Sequence, residues 1–87
     1  MGVFVVTLQG REAEGSLALT VLAFVSADRE TQAEESAVRE LEAFGWREVV
    51  AFRSGEVTDE VALPGDFRGA MENARRYGCS LIIYDEP

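Results

Sequence analysis

The sequence predicts an α+β domain: a two-layer ferredoxin-like (split βαβ) sandwich with an extra N-terminal strand, in the element order ββαββαβ. Three observations support this fold. Two segments 33 positions apart, residues 37–51 and 70–84, each contain an apolar helical stripe, an aromatic residue, a glycine and an apolar strand. Two segments rich in β-branched and aromatic residues precede the first helix. Ser54-Gly55 has the composition of a hairpin turn.

The first two predicted strands are Val3 to Gln9 and Leu17 to Val25, which are rich in β-branched and aromatic residues. A charged loop, Gly10 to Ser16, joins them, and we expect the two strands to be antiparallel.

The first predicted helix runs to about Phe44. Asp28 is a candidate N-cap, and Thr31-x-x-Glu34 is a capping box that competes with it as the start. Gly45 supplies a left-handed stop. Five residues share one helical face and are expected to be buried: Ala33, Ala37, Val38, Leu41 and Phe44.

Arg47 to Arg53 is predicted as the third strand, followed by the Ser54-Gly55 turn and a fourth strand, Glu56 to Leu63. Asp59-Glu60 lies in the middle of that fourth strand and weakens it. If Glu56 to Leu63 is a loop, the alternative is a mixed sheet with two βαβ crossovers. We favour the ferredoxin-like order because so long a loop is uncommon in a small domain.

Pro64-Gly65 interrupts the chain, and Asp66 is expected to cap the second helix. The last predicted strand is Leu81 to Tyr84. Five residues form the predicted buried stripe of the second helix: Phe67, Ala70, Met71, Ala74 and Tyr77.

Composition limits the partners. The 87 residues are expected to form a single domain, 1–87. The net charge is −8, from 16 acidic residues and eight arginines, with no lysine or histidine. Such a chain repels phosphate groups, so we expect neither nucleic acid nor membrane partners. One cysteine fits a reducing, cytoplasmic compartment. The scarcity of amide side chains, together with many glutamates and arginines, is a pattern found in heat-adapted proteins.

The missing residue types exclude many chemistries. Without histidine there is no Ser-His-Asp triad and no His-ligated zinc or haem, and without lysine there is no Schiff base. We therefore expect no catalytic residues, no metal and no cofactor. The acidic residues Asp59, Glu60, Asp85 and Glu86 would offer oxygen ligands to a cation if two strand ends met, but solvated charge is the favoured interpretation.

The candidate binding residues are few. Ser26, Asp28 and Arg29 lie where a strand turns into the first helix, whose N-terminal amides suit an anion, although capping by Asp28 is the favoured interpretation. Trp46 is expected to lie in the core or at an interface. Arg53 and Tyr84 are polar candidates for an apolar pocket.

Three functional hypotheses follow. The leading one is a small non-enzymatic binding or interaction module that acts as a homo-oligomer. The second is an enzyme of the dimeric α/β-barrel type, with an apolar pocket that also uses Glu48. The third is an acidic inhibitor or immunity-type protein that masks a basic partner, which requires the acidic residues to cluster on one face. A small-molecule or protein partner is compatible with the first.

Several strands are apolar on both faces, the second above all. If both helices covered one face of the sheet, the other face would expose an apolar patch. That patch would be larger than the ~300–600 Å² that is typical of the largest apolar patch on a monomer. We therefore expect a homodimer or higher homo-oligomer through the sheet, formed by back-to-back stacking or by exchange of the N-terminal strand. Cys79 is expected to be a buried, unreactive filler.

Overall fold

A computed structural model describes residues 2–59 and 63–84. These residues form four strands and two helices, with the following bounds in chain order: β1 (Gly2–Arg11), β2 (Leu19–Ala27), α1 (Glu30–Ala43), β3 (Arg47–Glu56), α2 (Gly65–Tyr77) and β4 (Cys79–Tyr84). The α+β class, with two helices packed on an antiparallel sheet, is confirmed.

The sheet has the strand order β3-β1-β2-β4, and every neighbouring pair is antiparallel. Because β2 and β3 both run antiparallel to β1, they are parallel to each other, with β1 between them. The β2-α1-β3 connection is therefore a split βαβ unit. The N-terminal strand is central in this sheet rather than an addition to it. The alternative of a mixed sheet is wrong for the described strands.

The predicted hairpin at Ser54-Gly55 is wrong. β3 continues through it, and Gly55 lies opposite Val5 of β1. The Val57 N–H extends this pairing by donating to the Val3 carbonyl at 2.9 Å. Residues 57–59 and Leu63 belong to no strand, so the predicted strand Glu56 to Leu63 is not formed there, and residues 60–62 lie outside the described residues. Pairing with β1 thus prevails over the local turn preference of Ser-Gly.

The two helices pack against opposite faces of the sheet. Ala33, Ala37 and Leu41 of α1 are fully buried against one set of alternate strand residues: Phe4, Val6, Leu8, Val21, Ala23 and Val25. Ala70, Met71 and Ala74 of α2 are buried against the other set, which includes Val3 and Phe24. The rings of Phe24 and Phe67 lie 5.6 Å apart. The strands are apolar on both faces because each face holds a helix, and this corrects the expectation that both helices share one face.

The helix ends follow the glycine prediction but not the capping prediction. Gly45 (φ 90°) and Gly78 (φ 94°) adopt the expected left-handed conformation. At Gly45 the turn is a Schellman motif, in which the Trp46 N–H donates to the Leu41 carbonyl at 3.2 Å. Neither helix has a side-chain N-cap; Arg29 and Pro64 occupy those positions.

The aromatic residue that ends each helix is not part of its buried stripe. Phe44 is 68% exposed and Tyr77 is 73% exposed. In α1 the Schellman turn explains this, because it brings Trp46 rather than Phe44 back against Leu41 and the core. Neither α1 nor α2 is long and apolar enough to cross a membrane.

Candidate functional site

The two edge strands of the sheet differ in how they are protected. The β3 edge carries four charged residues (Arg47, Glu48, Arg53 and Glu56) and its pairing with β1 has two register shifts. The backbone of Glu48 has a φ of 53°, and a positive φ is uncommon for a residue other than glycine. The Glu48 carboxylate forms an ion pair with Arg11. Charges and bulges of this kind protect a free edge from pairing with a long, regular strand.

The β4 edge has none of these features. Its six residues, Cys79 to Tyr84, carry no charge, and their pairing with β2 has no register shift. Ile83 is 42% exposed and Tyr84 is 41% exposed. α1 packs on β3, β2 and β1, and this leaves the α1 side of β4 incompletely covered among the described residues.

The free backbone groups of β4 can be assigned from one hydrogen bond. The Ser26 N–H donates to the Gly78 carbonyl at 3.0 Å, so the backbone of Gly78 points towards β2. In an antiparallel pair this direction alternates. The backbone groups of Cys79, Leu81 and Ile83 therefore point outward, along an edge that no described strand covers.

At the opposite edge, an open groove of about 580 Å³ runs between α1 and β3. Val38 lies on the helix side of the groove, and Val49, Val50 and Ala51 lie on the strand side. The charged residues that line it come from the outer flank of α1: Glu34, Glu35, Arg39 and Glu42. The groove thus combines an apolar floor with a mainly acidic wall.

Charge is distributed unequally between the two helices. The α1 sequence contains five glutamates and one arginine, a net charge of −4, whereas α2 contains two acidic residues and three arginines, a net charge of +1. Since the helices cover opposite faces, α1 adds a net charge of −4 to one face and α2 adds no net negative charge to the other. The third hypothesis from the sequence requires a clustering of this kind.

The turn before α1 brings three of the predicted binding residues to one region. Asp28 and Arg29 line a shallow cleft of about 300 Å³, and Ser26 lies just before it at the end of β2. The Asp28 N–H donates to Oε1 of Gln32 at 2.9 Å. The cleft is also lined by Thr31 and Glu35, so a carboxylate already stands where an anion would approach.

The other predicted residues do not converge. Trp46 is a core residue, only 9% exposed. Arg53 and Glu48 are on β3 and Tyr84 is on β4, at opposite edges of the sheet. Three strand spacings of about 4.8 Å separate these edges by about 14 Å. The pocket that the enzyme hypothesis requires from these three side chains is therefore not formed within one described chain.

Burial and the nearby Glu40 carboxylate raise the pKa of the Cys79 thiol to about 11. At neutral pH the thiol is protonated and a weak nucleophile. In the described part of the chain no group of three or more acidic or cysteine side chains is arranged to hold a metal ion. Three of the four acidic residues considered for a cation site, Glu60, Asp85 and Glu86, lie outside the described residues.

No protein-family model, no curated protein and no solved structure matches this chain. The sequence analysis did not identify the two edges or the α1–β3 groove as sites, although Arg53, Glu48 and Tyr84 lie on the edge strands. Strand order decides which strands are edges, and the uncharged run from Cys79 to Tyr84 was the signal in the sequence for an unprotected one.

Proposed function

We propose that the protein is a small non-enzymatic interaction module that works as a homodimer, with the two copies joined through their β4 edges. The observation that carries the proposal is the contrast between the two edges: β3 has charges and register shifts, and β4 has neither. An apolar, regular edge with free backbone groups pairs readily with another strand.

A two-fold axis perpendicular to the sheet at Ile82 gives the most apolar pairing. Leu81 then lies opposite the partner's Ile83, and Ile82 lies opposite its own copy. The outward backbone groups of Leu81 and Ile83 hydrogen-bond across the axis, and the two sheets join into one of eight strands. Cross-strand apolar pairs of this kind each contribute about 0.2–1 kcal/mol.

Charge supports pairing through β4 rather than β3. Pairing through β3 would bring together two copies of α1, each with a net charge of −4, because α1 packs beside that edge. Pairing through β4 keeps the two acidic helices on the outer parts of the joined sheet. Since like charges repel more strongly at short distance, the β4 arrangement avoids this cost.

The test compares two substitutions at exposed, β-branched positions on the two edges. Ile83→Lys places a charge in the proposed interface, and Val50→Lys places the same charge on the β3 edge, where Val50 is 58% exposed. Light scattering at micromolar concentration should give twice the 9.5 kDa chain mass for the natural protein and for Val50→Lys, and the chain mass for Ile83→Lys. Far-UV circular dichroism checks that both variants are folded.

A milder variant guards against unfolding by the lysine. Ile83→Thr keeps the branched β-carbon and should weaken the dimer without abolishing it. A natural protein that stays monomeric throughout the micromolar range contradicts the proposal, and so does an Ile83→Lys variant that is folded and still dimeric.

A further inference from the structure

The free edge of β3 presents backbone groups inside the α1–β3 groove. The Val57 N–H donates to the Val3 carbonyl, so the backbone of Val3 points towards β3, and by alternation so does that of Gln9. Val50, which lies opposite Gln9, therefore pairs inward. The backbone groups of Val49 and Ala51 then point out from the edge, and both residues line the groove.

We propose that this groove binds an extended segment of another protein, which adds to β3 as a further strand and alternates apolar with basic side chains. The inference adds a partner class to the interaction module proposed above. It does not depend on the dimer, because the groove lies at the opposite edge of the sheet from β4.

The groove has the two features that strand addition uses. Backbone hydrogen bonds to Val49 and Ala51 supply sequence-independent affinity, and the flank of α1 supplies side-chain selectivity. An added strand would lie about 4.8 Å from β3, beside the outer flank of α1. Its side chains would point alternately to the two faces of the sheet. Basic side chains on the helix side would pass Val38 and reach the glutamates of α1, and apolar side chains on the other side would lie beside Val50. The volume of about 580 Å³ is within the range of known ligand sites, about 300–1,000 Å³.

Charge complementarity selects a basic occupant. Glu34, Glu35 and Glu42 line the groove with only Arg39 to offset them. A second copy of this chain, with its net charge of −8, is a poor occupant for the same reason. Lysine or arginine side chains spaced along an extended segment would reach these carboxylates and remain partly hydrated, which favours fast association.

The irregularities of β3 limit the length of the paired segment. Glu48, with its positive φ, precedes the groove residues, and the register shift opposite Thr7 and Leu8 follows them. Between these points only Val49 to Ala51 continue as regular strand. A short segment of a partner can pair there, whereas a long flat strand cannot.

The probe is a fluorescein-labelled octapeptide of alternating lysine and valine, titrated with the natural protein and followed by fluorescence anisotropy. Binding should saturate, and should be weaker at about 200 mM than at about 50 mM NaCl because the charges are screened. A glutamate–valine peptide and a lysine–serine peptide are the controls, and neither should saturate below about 1 mM, which corresponds to weak, unspecific affinity.

Matched variants locate the site. The double substitution Glu35→Gln and Glu42→Gln removes two charges from the groove. Glu30→Gln with Glu40→Gln removes two charges from α1 outside the lining of the groove. The Glu35/Glu42 double variant should bind the peptide roughly fivefold or more weakly, and the Glu30/Glu40 double variant less than about twofold more weakly. This difference is expected because only the first variant removes partly exposed ion pairs with the peptide. Val50→Lys should weaken binding, and Ile83→Lys should not.

Methylated peptides test the strand geometry. Alternate backbone amides of an added strand donate to β3, and the amides between them face solvent. Two lysine–valine peptides, one N-methylated at the lysines and the other at the valines, should therefore differ: one should lose binding and the other should keep it. The proposal is overturned if the lysine–valine peptide does not saturate, if the lysine–serine peptide binds equally well, or if the two double variants behave alike. If the natural protein forms the dimer but does not bind the peptide, this inference alone is contradicted. If the natural protein binds the peptide but is a monomer, the dimer proposal alone is contradicted.

Discussion

The indole of Trp46 lies directly against the backbone of Gly10. A β-carbon at position 10 would stand 3.1 Å from Cε3 of Trp46 and 3.2 Å from Cγ2 of Val49. Gly10 is buried near the end of β1, and Trp46 precedes β3 just after the Schellman turn of α1. This contact joins the end of α1 to the β1–β3 pair, and β3 forms the strand side of the α1–β3 groove.

Gly10→Ala should destabilise the protein. The added methyl group meets the indole at a distance shorter than most real contacts, and overpacking of this kind costs about 1–3 kcal/mol. That cost exceeds the gain of about 0.4–1 kcal/mol from a stiffer unfolded chain. Urea unfolding followed by far-UV circular dichroism measures the difference.

Gly69→Ala is the control for that substitution. Gly69 is inside α2, and a β-carbon there meets nothing within 4 Å. Alanine should therefore stabilise the helix by about 0.5–1 kcal/mol. If Gly10→Ala is as stable as Gly69→Ala, the close packing of Trp46 on Gly10 is incorrect.

The two helix-terminating glycines should each resist substitution. Gly45→Ala and Gly78→Ala place a side chain at φ 90° and φ 94°, and left-handed conformations cost a residue with a β-carbon about 1–2 kcal/mol. Thermal and urea unfolding should show both variants destabilised by about 1 kcal/mol. Gly55→Ala, where φ is not positive and space is open, should show no comparable loss, and an equal loss there would contradict the assignment.

Cys79 should make stability fall at alkaline pH. Its folded-state pKa of about 11 is above the value of 9.0 for an unperturbed thiol, so the unfolded chain releases the thiol proton first as the pH rises. The free energy of unfolding is therefore unaffected by ionisation of Cys79 below about pH 9, and it decreases between about pH 9 and pH 11 as the thiol of the unfolded chain ionises. Urea unfolding across this range should show a smaller decline for Cys79→Ala than for the natural protein, and parallel curves would rule the linkage out.

The same pKa predicts slow alkylation of the native thiol near neutral pH and fast alkylation in denaturant. Burial is the larger cause of the raised pKa and the Glu40 carboxylate is the smaller. Glu40→Gln should therefore increase the native labelling rate modestly, and Glu30→Gln, at the start of the same helix, should not. Fast labelling of the natural protein at neutral pH would show that the thiolate forms readily and would contradict this account.

The sequence predicts those parts of the fold that local chemistry decides. Apolar spacing locates both helices, and Gly45 and Gly78 mark their ends because a left-handed residue is needed at each. It does not predict that Ser54-Gly55 continues a strand, since the register with β1 is a long-range property. Nor does it say which helix covers which face: two apolar faces are equally consistent with a helix on each side or with a buried interface.

The functional surfaces depend on the same long-range information. The apolar character of Leu81 and Ile83 is plain in the sequence, but only strand order makes β4 an edge. Likewise, the acidic residues of α1 are evident from composition, and their proximity to Val49 and Ala51 requires the packing of α1 on β3. Residue type alone favours Arg53 and Tyr84 as candidates, but they lie on opposite edge strands of the sheet.

The most direct test of the β4 dimer is amide hydrogen exchange at Leu81 and Ile83, measured by NMR. Their N–H groups point away from β2 and are hydrogen-bonded only if another strand covers the edge. We predict slow exchange of both amides in the natural protein, with protection that decreases on dilution and is lost in Ile83→Lys, while the amides of β1 stay protected in both. Fast exchange at Leu81 and Ile83 at all concentrations, with β1 protected, would contradict the account.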